Sequence, residues 1–167
     1  MFKCFFPDEW VDSTYDIDFE KLHIAGVKGL IFDIDNTLVP HGAPADERCL
    51  ELFNRFKKWG ISCCLLSNNQ NERVSSFAKQ VGAKYIENAH KPSTKNYFKA
   101  MKMMGTTTKD TVFVGDQLFT DVWGAKRAGI RNFLVKPIHP KEEIQIVLKR
   151  YLEKIVLFFY KRERGIR

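Results

Sequence analysis

From Gly29 onward, short apolar runs rich in β-branched and aromatic residues alternate with stretches whose apolar positions recur at helical spacing. Strands without polar alternation need cover on both faces, and the intervening helices supply it, so the pattern dictates a parallel sheet wrapped by helices. The runs predict strands at Gly29 to Asp33, at Ile61 to Leu66, around Tyr85, at Thr111 to Val114 and at Asn132 to Val135. Helices are predicted from Asp46 to Trp59, near Glu72 to Val81, from about Ser93 to Met104 and from about Thr120 to Ala128. Leu50, Phe53 and Phe56 fall at helical spacing in the first of these, and Gly60 closes it. The expectation is an α/β fold with a five-stranded parallel sheet flanked by helices. No repeat, low-complexity segment or linker divides residues 1–167, which predicts a single domain.

Composition narrows the class further. With 44% hydrophobic residues, the 167-residue chain has enough apolar material for a core of its own. Four cysteines lack the paired spacing of a zinc site or a disulfide framework. Pro7, Asp8 and Glu9 interrupt the apolar N-terminal stretch, so no signal-peptide core is expected there. The longest purely apolar run, Ile155 to Tyr160, has six residues, where a spanning helix needs about 20. A cytoplasmic protein is expected, with peripheral contact at the inner membrane face as an option. The net charge is +7, and residues 136–167 hold nine Lys/Arg against four Asp/Glu, so most of the excess sits in the tail. Such a tail suits anionic lipid, nucleic acid or plain solvent, and charge alone does not choose.

The chemistry starts where the first predicted strand ends, in Phe32-Asp33-Ile34-Asp35-Asn36-Thr37-Leu38-Val39. Ligand sites of α/β proteins gather at the carboxyl ends of their strands. Two carboxylates this close require either a cation or a retained proton; a solvated acidic turn is the plain alternative. A second acidic cluster, Gly115-Asp116-Gln117-Leu118-Phe119-Thr120-Asp121, follows the fourth predicted strand. Asp116 offers a hard oxygen to magnesium, while Asp121 stands where a simple helix cap would also stand. Ser67-Asn68-Asn69 follows the second strand and offers a hydroxyl and main-chain N–H groups to phosphate. Lys91 lies just before a predicted helix, where its ammonium would neutralise phosphate oxygens if it is held in place.

In this order the four segments resemble the motifs of the haloacid dehalogenase superfamily: D-x-D-x-T-L at Asp33 to Leu38, Ser67 after a hydrophobic strand, Lys91, and G-D-x-x-x-x-D from Gly115 to Asp121. The resemblance implies a Rossmann-like core in which the strands before Asp33 and Asp116 are neighbours. It further implies a phosphatase with Asp33 as nucleophile, forming an aspartyl-phosphate, and Asp35 as general acid and base. Mg²⁺ would be held by Asp33 and Asp116, by the main-chain carbonyl of Asp35, and by Asp121 directly or through water. Ser67, Asn68 and Lys91 would bind the phosphoryl oxygens. About a dozen residues separate Asp33 from the next predicted helix, and 24 separate Ser67 from Lys91, so neither gap holds the cap domain of many superfamily members. A capless site suits a macromolecule, a membrane surface or a neighbouring subunit as lid.

Over nearly its whole length the chain resembles the YqeG family of capless haloacid dehalogenase phosphatases, from Phe6-Pro7-Asp8-Glu9 and Tyr15-Asp16-Ile17-Asp18 through Asp33 to Val39. That family is related to mitochondrial phosphatidylglycerophosphatase, which implies phosphatidylglycerophosphate as substrate. The rival readings are a polynucleotide-end or phosphoprotein phosphatase and a non-enzymatic phosphate-sensing module. Asp35 weighs against the last, because binding alone needs no second carboxylate; specific nucleic-acid binding is not expected.

The tail from Glu142 to Arg164 is predicted to form one helix, with Leu148, Tyr151, Leu152, Ile155, Phe158 and Phe159 in one apolar sector. That sector either packs on the sheet or meets a membrane or a partner. Arg73 is read as a surface residue that could reach substrate phosphate or lipid. His41 and His90 flank motifs, but Asp35 already fills the acid/base role.

Overall fold

The computed structural model describes residues 2–139 and 144–166. Six strands form one sheet: β1 (Glu9–Val11), β2 (Gly29–Phe32), β3 (Ser62–Leu66), β4 (Lys84–Ile86), β5 (Thr111–Gly115) and β6 (Arg131–Val135). Their order is β1-β6-β5-β2-β3-β4, and every neighbouring pair is parallel. The sheet therefore has one strand more than the expected five. The additional β1 escaped prediction because its three residues, Glu9, Trp10 and Val11, are all half-buried and show neither alternation nor a continuous apolar run. It pairs with β6 at the sheet's edge, and Asp8 secures it by accepting hydrogen bonds from the Asn132 main chain at 3.0 Å and side chain at 2.8 Å.

Successive side chains of the central strands point to opposite faces, and both faces are covered. Leu30, Phe32, Cys63, Leu65, Val112 and Val114 enter one core; Ile31, Cys64, Leu66 and Phe113 enter the other. The first core is roofed by α1 (Phe19–Ile24), α2 (Glu47–Lys58) and α3 (Asn71–Val81), and the second by α4 (Lys95–Met104) and α5 (Trp123–Arg127). Helix α2 shows how local signals fix an element. Asp46 caps its start by accepting from the Cys49 N–H at 2.8 Å. At its end, Gly60 takes φ +71°, and the N–H groups of Gly60 and Ile61 close back on the carbonyls of Lys57 and Phe56 at 3.1 and 2.9 Å. Its inward face buries Cys49, Leu52, Phe53 and Phe56, and truncating the fully buried Phe56 to Ala would cost about 3–5 kcal/mol.

Between Ser67 and Lys91 the chain makes only α3 and β4, so the site is left without a cap, as the spacing predicts. The helix predicted from Thr120 begins earlier, as a π-helical turn over Leu118–Val122 that leads into α5. The last helix, α6, runs over Ile144–Arg164; Glu142, where it was expected to begin, lies outside the described residues. Its core-facing side is Glu153, Val156 and Tyr160, all buried. The sector centred on Ile155 faces away from the sheet, with all six of its predicted members exposed.

Candidate active site

Two adjacent strands build the centre of the site. Phe32 of β2 lies in register with Val114 of β5, and the next N–H, that of Asp33, still donates to the Val114 carbonyl at 3.0 Å. The residues that follow the two strands, Asp33 and Asp116, are thereby delivered to one point. Asp121 returns to it from the π-helical turn, and its Oδ2 accepts from the N–H groups of Asp116 and Gln117, both at 3.1 Å. Residue 115 must be glycine for that return, since a Cβ there would stand 2.5 Å from Asp121 Oδ2. All three carboxylates are buried, and one oxygen from each lies within 4.8 Å of the others.

Such crowding requires positive charge, and two cations supply part of it. Lys91 Nζ donates to Asp33 Oδ1 at 2.6 Å and to Asp121 Oδ1 at 2.7 Å. Its main chain is gripped by Asn68, whose Oδ1 accepts from the Lys91 N–H at 2.8 Å and whose Nδ2 donates to the Lys91 carbonyl at 3.4 Å. Burial works to lower the Lys91 pKa, but the charges of Asp121 and Asp33 outweigh it and hold the ammonium above its ordinary range. The second cation is Arg150 of α6, which pairs with Asp116 Oδ2 and donates to the Asp116 carbonyl at 2.5 Å. Thr37 Oγ1 sits between the two aspartate-bearing loops, 3.4 Å from Asp33 Oδ2 and 3.2 Å from Asp116 Oδ1.

The carboxylates remain short of positive charge. Burial pushes the Asp33 pKa up to about 6 against the pull of Lys91, and burial together with Asp33 and Asp121 raises Asp116 well above the usual carboxylate range. A cluster of hard oxygen donors that lacks countercharge is what a divalent cation such as Mg²⁺ fits. Asp35 is not in the cluster. Its carboxylate turns to the opposite wall, where Oδ2 accepts from Asn69 Nδ2 at 2.5 Å and Oδ1 from Arg73 and the Gly42 N–H at 2.9 and 2.8 Å. There it lines an open cleft of about 830 Å³ with His41, Asn68, Asn69, Arg73 and Asn88. Ser67 is buried at the junction of wall and cluster, its Oγ accepting from the Asn69 N–H at 3.1 Å.

Asp33, Asp116, Asp121 and Lys91 thus converge as the motifs predict, with Ser67, Asn68 and Asp35 around them. Asn68 spends its side chain on Lys91, which leaves its main-chain amide for any phosphate. Arg73 is a wall residue bonded to Asp35 rather than the surface residue expected. His41 stands 3.9 Å from Asp35 Oδ1. Asn69 was read only for its main-chain N–H, not for the side chain that holds Asp35, and Arg150 was missed; the Arg150 and Glu153 pair on the tail's inward side was the available signal, masked by the larger apolar sector.

A buried aspartate after the central strand, a lysine brought in by a loop and a paired aspartate motif after the neighbouring strand define a class. The chain belongs to the haloacid dehalogenase-like hydrolases, whose family model matches residues 42–129, the stretch that carries Ser67, Lys91, Asp116 and Asp121. Within that family it is a phosphatase, a hydrolase of phosphoric monoesters. It is 38% identical over 165 residues to the probable phosphatase YqeG of Bacillus subtilis (strain 168), covering 98% of this chain and 96% of that one. It is also 28% identical over 174 residues to phosphatidylglycerophosphate phosphatase 1, chloroplastic/mitochondrial, of Arabidopsis thaliana, where the match covers 89% of this chain but only 48% of the plant protein. Among solved structures, the cobalt-bound deoxy-D-mannose-octulosonate 8-phosphate phosphatase of Haemophilus influenzae shares the fold with a TM-score of 0.51 and 16% identity, over 82% of this chain and 90% of that one.

Proposed function

We propose that the protein is a Mg²⁺-dependent phosphatase that works through an aspartyl-phosphate on Asp33 and dephosphorylates phosphatidylglycerophosphate to phosphatidylglycerol. The observation that carries the chemistry is the buried Asp33, Asp116 and Asp121 cluster bridged by Lys91. Asp33 and Asp116 would hold the metal with the Asp35 carbonyl, and Asp121 would support it; when bound, the cation neutralises the charge that sets one anion against another. An Asp33 oxygen attacks phosphorus in line, the bond to the leaving oxygen breaks, and Asp35 gives that oxygen its proton. Asp35 then takes a proton from water, whose oxygen attacks the aspartyl-phosphate and releases inorganic phosphate. Asn69, Arg73 and the Gly42 N–H aim the Asp35 carboxyl for both transfers. Lys91, Ser67 and the amides after it take the phosphoryl oxygens, a task in which positioning and charge do most of the work.

Two features support a phospholipid as substrate. The plant relative is named for phosphatidylglycerophosphate, and the cleft beside Asp35 is open enough for a leaving group anchored elsewhere. That leaving group carries a phosphodiester anion of its own, and Arg73, whose Nε is buried without a hydrogen-bond partner among the described residues, stands on its side of the site.

The test is phosphate release from phosphatidylglycerophosphate in mixed micelles beside an aryl phosphate and phosphopeptides, with chelator and Asp33→Asn as controls. Lipid preference that both controls abolish is the expected result. Turnover of the aryl phosphate alone would discard the lipid, and no turnover of any substrate would discard the mechanism.

A further inference from the structure

Helix α6 is apolar on two sides. At 100° per residue, Leu148, Tyr151, Leu152, Ile155, Phe158 and Phe159 fall within a sector of about 120°, and each is between 41% and 67% exposed. On the other side, Glu153, Val156 and Tyr160 are buried against the body of the protein. Core packing therefore accounts for one face, while the larger one stands in solvent.

The charges around that outer face say what it fits. Of the acidic residues in α6, Glu153 is turned inward, accepting from the Leu118 N–H at 2.8 Å and pairing with Arg150, and Glu163 is paired with Lys3 at 2.7 Å. Arg162 falls inside the outer sector at the same spacing and Lys154 flanks it, and both are exposed. A second copy of the chain packed on this face would bring cations against cations. An anionic bilayer offers a complementary charge and an apolar layer for the aromatic and aliphatic side chains.

The same helix reaches the catalytic centre. Arg150 adjoins Tyr151 and holds both the carbonyl and the carboxylate of Asp116, while Glu153 holds the next segment of that loop. A cavity of about 380 Å³, whose walls include Trp10, Leu134, Val147 and Leu157, has both Tyr151 and Asp116 in its lining. We propose that the outer face of α6 is a docking surface for anionic lipid bilayers, and that it seats the active site at the interface where a phosphorylated lipid presents its headgroup. The proposal rests on the lipid reading above for its purpose but not for its test.

That test is flotation of the whole protein with vesicles of phosphatidylcholine alone or mixed with phosphatidylglycerol, neither of which carries a phosphomonoester. The wild type should float with the mixed vesicles, progressively less as salt is raised, and stay behind with phosphatidylcholine. Leu152→Glu with Phe158→Glu should weaken binding by about tenfold or more per side chain withdrawn from the interface, with aryl phosphate turnover and oligomeric state unchanged. A wild type that does not float, a double variant that floats equally well, or a dimer that the variant splits would each overturn the proposal. A protein that floats but leaves phosphatidylglycerophosphate intact would instead sink the substrate and keep the docking face.

Discussion

Arg150 grips Asp116 at two points, donating to its main-chain carbonyl at 2.5 Å and pairing with its carboxylate. A side chain 34 residues away thus fixes the rotamer of a proposed metal ligand. Partners of metal ligands commonly set affinity, so Arg150→Ala should weaken the apparent Mg²⁺ affinity by about 10- to 100-fold, with turnover largely restored at high Mg²⁺. Arg150→Lys, which lacks the planar fork, should fall between. Titrating aryl phosphate hydrolysis with Mg²⁺ reads both; tighter binding in the alanine variant would mean that the guanidinium competes with the cation.

The raised pKa of Asp33 has a pH signature in the metal-free protein. Its folded value of about 6 lies above the ordinary 3.8, so between these values the folded state holds more protons than the unfolded one. Stability should decline as pH rises from about 4 to about 6, by of order 2–3 kcal/mol from this group, and level off above. Asp116, shifted the same way, adds in the same direction. Urea unfolding in chelator across that range should show the decline, with a smaller one in Asp33→Asn. Because cation and proton compete, Mg²⁺ affinity measured by calorimetry should weaken below about pH 6.

Gly115 and Gly60 separate catalytic from purely structural glycines. Gly115→Ala puts a Cβ 2.5 Å from Asp121 Oδ2, which displaces the carboxylate that holds Lys91; a shift of about 1 Å at such a site costs about 10²-fold in rate. Gly60→Ala meets nothing within 4 Å but keeps φ at +71°, so it should cost about 1–2 kcal/mol of stability and leave kcat unchanged. Turnover and Tm measured on the two variants give the contrast.

Arg73 should discriminate among leaving groups. If it meets the phosphodiester of the lipid, Arg73→Ala should lower kcat/KM for phosphatidylglycerophosphate about 10- to 100-fold more than for an aryl phosphate, the worth of one charged hydrogen bond. Equal losses on both substrates would confine Arg73 to aiming Asp35.

The sheet's interior strands were legible because burial on both faces leaves continuous apolar runs such as Leu30-Ile31-Phe32 and Val112-Phe113-Val114. β1 was not, since an edge strand of three half-buried residues carries no period. The same division holds in the site. Asp33, Lys91, Asp116 and Asp121 stand beside strand ends and helix starts, and the chain's own topology brings them together. Arg150 reaches Asp116 only through the docking of a distant helix, a contact that no local spacing encodes. For α6 the pattern left the sense open, and the strongest apolar stripe faces away from the sheet while a weaker side bearing Glu153 faces the core.

The pairing of β1 with β6 also bears on how the chain matures at the ribosome. Strands β2, β3 and β4 can assemble outward as they emerge, and β5 and then β6 add to the other edge of β2 without inserting between earlier pairs. β1, which precedes the other strands of this sheet along the chain, must wait for β6, because Asp8 and Asn132 are 124 residues apart. Until then the edge that receives it is open, and the helix that carries Arg150 has yet to be made. Synthesis thus makes Asp33 well before the Arg150 that grips Asp116, so the two sides of the centre are tied together only after β6 has been made.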